Sequence, residues 1–193
     1  MVSLLNIQKI SDSNSWKPLL HDVQVSNWTH DGLRVQTESL RKDLQIVSDR
    51  VNVPLTLDML FESSKLSYEI LDDSDPTLDL VEALTIGRHI LFSSSDIKAL
   101  DQPGCSLYNR ARFTVVHEID HALQGHSIYT TGLPPRFPYE SAESEANAFA
   151  AHFLMPMSAV KRVQYDVQNL AELCHVSLEA AHNRINLVKS KNW

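Results

Sequence analysis

The sequence has few of the features that mark secreted, membrane-spanning or disulfide-stapled proteins. Its two cysteines, Cys105 and Cys174, are far apart and neither has a CxxC partner, which excludes a disulfide framework and fits a reducing compartment. No segment approaches the run of about eighteen apolar residues that indicates a membrane span. The first residues also have no basic stretch followed by an apolar run, so we expect a cytoplasmic protein without membrane contact.

Glycine and positive charge are scarce as well. Five glycines and 43% hydrophobic residues in a chain of 193 indicate an ordinary globular domain with substantial helix. Its 24 acidic residues outnumber its 17 lysines and arginines, which gives a net charge of −7. This balance argues against a surface built mainly for nucleic acid.

The residue pattern predicts an α+β fold in three parts. We expect an N-terminal arm over residues 1–36, a core over 37–156 and a C-terminal helical segment over 157–193. Apolar spacing predicts helices over 37–51 and 56–66, then short strands over 68–71, 83–86 and 89–93. Further helices are predicted over 108–124, 141–155, 158–164, 168–174 and 177–189, with a proline-containing loop over 127–139.

Residues 117–121 read His-Glu-Ile-Asp-His, in a stretch whose composition predicts a buried helix. Positions four apart stand on the same helix face, so His117 and His121 can bind one Zn²⁺ together. Glu118 is rotated by about 100° from His117 and can hold and deprotonate a metal-bound water. Because a five-residue pattern is common by chance, this interpretation depends on a third ligand.

The third ligand can be a histidine or a carboxylate. The HExxHxxGxxH pattern requires glycine and histidine where this sequence has glutamine and serine, and His126 misses the register by one. A later segment offers three carboxylates instead, Glu140, Glu143 and Glu145. Glu143 is the best placed of them, because alanines and a leucine follow it along one side of the predicted helix.

Two segments carry a family resemblance. They are Arg112-Phe-Thr-Val-Val-His-Glu-Ile-Asp-His121 and Glu143-Ser-Glu-Ala-Asn-Ala-Phe-Ala-Ala-His-Phe-Leu-Met-Pro156. Together they resemble the ImmA/IrrE family of bacterial and phage metallo-endopeptidases, whose pattern is RFTxAHExxH followed by ExEANxFAAxLLMP. The resemblance implies a zincin-like core with a small sheet packed on the HExxH helix, and C-terminal helices of helix-turn-helix-like spacing. It also implies one zinc ion, with Glu143 as the third ligand.

Several other residues are candidates for roles at this site. Asn147 lies one turn after the third ligand and would support it. The candidates for stabilising the oxyanion of a tetrahedral intermediate are His126, Tyr129, Tyr139 and His152. Asp120 stands where the family usually has glycine; it could orient a histidine, but we expect it at the surface.

Cys105 has two interpretations. Its thiolate, a strong zinc ligand, could reach the open fourth coordination position and hold the enzyme inactive. The alternative is a small buried hydrophobic residue, the more common role of a lone cysteine. Under the first interpretation, Cys105→Ser raises basal proteolysis.

The implied function is a zinc endopeptidase with Glu118 as general base. The resemblance implies a selective protein substrate, commonly a helix-turn-helix repressor whose cleavage derepresses phage, mobile-element, defence or DNA-damage response genes. We expect the substrate to lie beside an edge strand, with residues 89–93 as the candidate.

The alternative function is a regulatory sensor that binds nucleic acid or protein and keeps a structural metal. Glu118 argues against it, because a structural zinc site needs no such carboxylate. Direct DNA binding has weak support, since Glu172 and Glu179 oppose the positive charges of the C-terminal helices.

Overall fold

In the computed structural model, which describes residues 28–78, 83–126 and 141–193, these residues form eight α-helices and a three-stranded sheet. This arrangement confirms the predicted α+β class. The strands are β1 (Ser67–Leu71), β2 (Ala83–Ile86) and β3 (His89–Ser93). The helices are α1 (His30–Asp43), α2 (Val53–Glu62), α3 (Ser94–Ala99), α4 (Tyr108–Gln124), α5 (Ala142–Leu154), α6 (Met157–Arg162), α7 (Val167–Cys174) and α8 (Leu178–Lys191). None of these described helices is long and apolar enough to cross a membrane.

Helix α1 begins and ends earlier than the predicted span of 37–51. Thr29 caps its start, because its hydroxyl accepts a 3.0 Å hydrogen bond from the Gly32 amide. Thr37, expected near the start, lies inside the helix and donates its hydroxyl to the Leu33 carbonyl at 2.8 Å. Val47, expected on the buried face, is 97% exposed. Helix α1 runs across residue 36, the predicted boundary between the arm and the core. The division of the chain into these parts stays a prediction.

The sheet places β3 in the centre. Its strand order is β1-β3-β2, with β1 parallel to β3 and β2 antiparallel to it. A turn at Gly87, with φ of +62°, joins β2 to β3. The prediction that residues 89–93 form an edge strand is therefore wrong, because β3 is paired on both sides. The outer strand next to α4 is β2.

Helix α4 holds the core together. It lies between the sheet and α5, and its bounds match the predicted start near residue 108 and end near 124. Fully buried side chains along α4 and α5 form this contact: Ala111, Val115, Val116, Ile119, Ala122, Phe149 and Phe153. Burial of each large apolar side chain stabilises the fold by about 1.5–3 kcal/mol, so the HExxH helix is firmly anchored.

The C-terminal helices α7 and α8 are joined by a short turn, in the predicted helix-turn-helix-like spacing. His175 ends α7 with φ of +54°, and the Ser177 hydroxyl caps α8 by accepting from the Ala180 amide at 3.1 Å. Arg112 of α4 reaches this turn and donates to the Cys174 and His175 carbonyls at 3.2 and 3.1 Å. The helix that carries the metal motif is thereby tied to the C-terminal segment.

Candidate metal centre

The two histidines of the HExxH motif face the same point in space. They stand one turn apart on α4, and their Nε2 atoms are 3.0 Å apart. The His117 side chain is 13% exposed and that of His121 is 9% exposed. Both rings are therefore held by the surrounding protein, with the Nε2 edges directed to a shared site.

Glu143 comes to the same point from the first turn of α5. Its Oε2 lies 3.2 Å from His117 Nε2 and its Oε1 lies 3.3 Å from His121 Nε2. The hydroxyl of Ser141 caps α5 and accepts the Ser144 amide at 3.0 Å, which fixes the turn that carries Glu143. The structure brings together the three residues predicted as ligands, and their candidate ligand atoms all lie within 4.8 Å of one another.

The spacing of these atoms fits a zinc ion. Tetrahedral nitrogen and oxygen ligands at about 2 Å from zinc are separated by roughly 3.3 Å, close to the distances that join Glu143 to the histidines. Hydrogen bonds from His117 and His121 hold the pKa of Glu143 well below its usual range. Burial would lower the pKa of His117, but its bond to Glu143 and the charge of Glu118 raise it. The carboxylate of Glu143 therefore interacts favourably with both imidazoles, and the donor set suits Zn²⁺.

Glu118 lies beside this cluster, on a different face of α4. It is buried, and its Oε2 accepts a 2.6 Å hydrogen bond from the Thr85 hydroxyl of β2. Thr85 was not among the residues predicted for the site. In the sequence it is one hydroxyl in a short predicted strand, and nothing nearby indicates its contact with Glu118 of α4.

Each histidine also has a partner at Nδ1, the nitrogen that faces away from the shared point. His117 Nδ1 lies 3.2 Å from Asn147 Oδ1, and His121 Nδ1 lies 3.0 Å from His126 Nδ1. His126 Nε2 in turn lies 3.5 Å from Glu145 Oε2. An Nδ1–H donated to such a partner orients the ring and leaves Nε2 as the metal-binding atom.

Asp120 is fully buried, so its expected place at the surface is wrong. The Gln124 amide donates to its Oδ1 at 3.3 Å. Burial, reinforced by the charge of Glu145, raises the pKa of Asp120 to about 6. Asp120 therefore lies inside the protein and near α5, because Glu145 belongs to that helix.

Other candidate residues lie away from the shared point. The Tyr108 amide bonds the Cys105 carbonyl at 3.2 Å, so Cys105 sits at the start of α4. About 13 Å of helical rise separates Tyr108 from His117. The structure therefore does not bring the Cys105 thiol to the site, and the predicted inhibitory ligand is not among the residues that cluster there.

Two of the four oxyanion candidates, His126 and His152, lie within the described residues. His126 lies on the Nδ1 side of His121, away from Glu143. His152 is 1% exposed and packs against the rings of His30 and Trp193. Tyr129, Tyr139 and the rest of the loop over 127–139 lie outside the described residues.

One protein family matches the chain over residues 108–186, under the description peptidase M78, IrrE N-terminal-like domain. The matched segment begins with α4 and ends within α8, so it contains the three candidate ligands and Glu118. This match confirms the resemblance that the two motifs indicated. No curated protein matches the chain.

A solved structure shares the fold. It is a Mycobacterium tuberculosis transcriptional regulator, with a TM-score of 0.51 and 20% sequence identity. The match covers 80% of this chain and 46% of the other, so this chain spans about half the length of its structural neighbour. At this identity the similarity concerns the fold alone.

Proposed function

We propose that the protein is a zinc-dependent endopeptidase, because residues 108–186 match the IrrE N-terminal-like peptidase family. His117, His121 and Glu143 would hold the ion. The observation that carries the proposal is the meeting of their ligand atoms within 4.8 Å, next to the buried carboxylate of Glu118. A cluster built only for packing would have no need of these four polar groups together.

Each residue at the site has a separate task in peptide hydrolysis. When bound, Zn²⁺ would supply an acidified water and a Lewis acid for the substrate carbonyl. Glu118 takes a proton from the attacking water as general base and returns it to the amine that leaves. Thr85 donates to Oε2 of Glu118 at 2.6 Å, which orients the carboxylate and leaves Oε1 to receive the proton.

The substrate backbone would lie beside β2. This strand is an outer strand of the sheet, and its Thr85 touches the proposed general base. An extended peptide added next to β2 would use main-chain hydrogen bonds for binding and would bring its scissile bond close to Glu118. The central strand β3 has both sides paired and cannot accept a peptide in this way.

The substrate class that the family resemblance supports is a helix-turn-helix repressor, whose cleavage would release the genes it controls. The competing proposal is a regulatory sensor with a structural metal. Structural zinc sites are usually closed by four protein ligands, whereas the cluster among the described residues has three. Three ligands among the described residues, with the buried carboxylate of Glu118 beside them, favour the peptidase.

The test is to coexpress the protein with a helix-turn-helix repressor from the same genome. We expect the wild type to cleave this repressor and Glu118→Gln to leave it intact while keeping the same zinc content. Fragments are identified by mass spectrometry, which also gives the cleaved bond.

A matched control uses Glu172→Gln, the same chemical change on the exposed side of α7. We expect it to cleave like the wild type. Cleavage by both the wild type and Glu118→Gln, or by neither under inducing conditions, would contradict the proposed mechanism.

A further inference from the structure

We propose that His126 and Glu145 are positioning residues that fix the proton of His121 on Nδ1 and so strengthen its Nε2 as a metal ligand. We call the row of contacts from Glu145 through His126 to His121 the relay. This inference rests on the proposed zinc site and deepens it, because it assigns the source of that site's affinity to two residues that do not contact the ion.

The end of α4 builds the relay. Gly125 has φ of +70°, a left-handed conformation that glycine adopts without strain, and it ends the helix. The His126 amide then folds back and donates to the His121 carbonyl at 2.9 Å. This return places the His126 ring against the His121 ring, with centroids 5.2 Å apart.

The side chains of His121, His126 and Glu145 make two successive contacts at this turn. His121 Nδ1 and His126 Nδ1 are 3.0 Å apart, and His126 Nε2 lies 3.5 Å from Glu145 Oε2. The side chains of His126 and Glu145 are only 10% and 11% exposed. Water therefore competes little for these contacts, and the electrostatic attraction between them is stronger than at a surface.

The order of the groups determines where each proton lies. When two imidazoles face each other through Nδ1, one must donate and the other must accept. The carboxylate of Glu145 favours the His126 proton on Nε2, so His126 Nδ1 is the acceptor. His121 must then donate its Nδ1–H, and its Nε2 lone pair is directed to the site shared with Glu143.

The relay makes the two histidine ligands unequal. His117 donates to a neutral amide oxygen, that of Asn147, whereas His121 donates into a chain that ends in a carboxylate. A carboxylate that polarises an N–H in this way raises the basicity of the ligand nitrogen. Loss of the relay should therefore weaken metal binding without removing a ligand.

The test measures zinc affinity of the full chain by competition with a chromophoric chelator. We expect His126→Phe to raise the zinc dissociation constant by about 10- to 100-fold, the usual effect of losing such a partner. Glu145→Gln, which keeps the side-chain shape, should weaken binding in the same direction. His126→Gln retains an acceptor oxygen and should recover part of the loss.

Two further measurements separate the relay from a general structural role. Melting of the metal-free proteins checks that the variants fold, and the exposed His182→Phe should bind zinc like the wild type. In the zinc-loaded wild type, ¹⁵N NMR should show His121 protonated on Nδ1 and His126 protonated on Nε2.

Three results would overturn the inference. A His126 proton on Nδ1 would contradict the assigned order of protons. Tight zinc binding by the wild type with equal affinity in folded Glu145→Gln and His126→Phe would refute the relay alone. A wild type that binds no zinc would refute the proposed function, and the relay with it.

Discussion

Replacing Arg112 with methionine should weaken the whole fold, although Arg112 contacts none of the candidate ligands. The side chain is 2% exposed, and its guanidinium donates to three backbone carbonyls. Nη1 reaches Val51 at 2.7 Å, Nη2 reaches Cys174 at 3.2 Å and Nε reaches His175 at 3.1 Å. The segment before α2, the metal helix α4 and the end of α7 therefore meet at one side chain.

The magnitude follows from these contacts. Cys174 and His175 lie at the C-terminal end of α7, where the helix dipole favours a cation. Methionine would keep most of the apolar volume but would leave three carbonyls without their donor. A buried acceptor that loses its partner costs about 1–3 kcal/mol, and partial relaxation reduces the combined effect. We expect a loss of about 3–5 kcal/mol in the free energy of unfolding.

The assay is urea unfolding of the metal-free protein at pH 7, followed by circular dichroism. Arg112→Lys should lose less stability than Arg112→Met, because it keeps the charge but not the three-way geometry. The exposed Arg50→Met, close to the same segment, is the control and should change stability by less than about 0.5 kcal/mol. A loss below about 1 kcal/mol in Arg112→Met would refute this account of how α4 is anchored.

Three further predictions concern single side chains. Burial, with the charges of Arg184 and His30, lowers the pKa of His152 from 6.5 to about 2. Between pH 7 and pH 5 the unfolded chain therefore binds a proton at His152 that the folded protein does not bind. The free energy of unfolding should fall by about 2 kcal/mol over this range. Unfolding curves at both pH values should show a smaller pH dependence for His152→Phe, and an equal dependence would contradict this. Thr85→Val should lower kcat for repressor cleavage by about tenfold, with normal zinc content, and Thr85→Ser should retain most activity. A kcat of Thr85→Val equal to that of the wild type would exclude a role of Thr85 in orienting the general base. Cys105→Ser should leave basal proteolysis unchanged, whereas a rise would restore the inhibitory-ligand hypothesis.

Local signals were sufficient to predict the metal helix. Gly125 marked its end because glycine tolerates the left-handed conformation that terminates a helix, and the i, i+4 spacing placed two histidines on one face. The position of Glu143 followed from a helix whose start was signalled by Ser141. These features depend on residues close together in the sequence, so the residue pattern was enough to predict them.

Contacts between distant segments were not visible in the sequence. Strand β3 is central because β1 pairs with it in parallel, although β2 lies between them in the chain, and no local pattern indicates strand order. The burial of Asp120 and the contact of Thr85 with Glu118 depend on how α5 and β2 pack on α4. The sequence excluded His126 as a ligand and left it as an oxyanion candidate, because its contact with Glu145 depends on the fold.

Isothermal titration of the metal-free protein with Zn²⁺ measures whether His117, His121 and Glu143 hold one zinc ion, as we propose. We expect one ion per chain in the wild type and in the surface control Glu172→Ala. We expect binding weakened by more than about 100-fold in Glu143→Ala, beyond the usual effect of a merely supporting residue. A wild type that takes up no zinc, or Glu143→Ala that binds it as tightly as the wild type, would show that these residues do not form a zinc site.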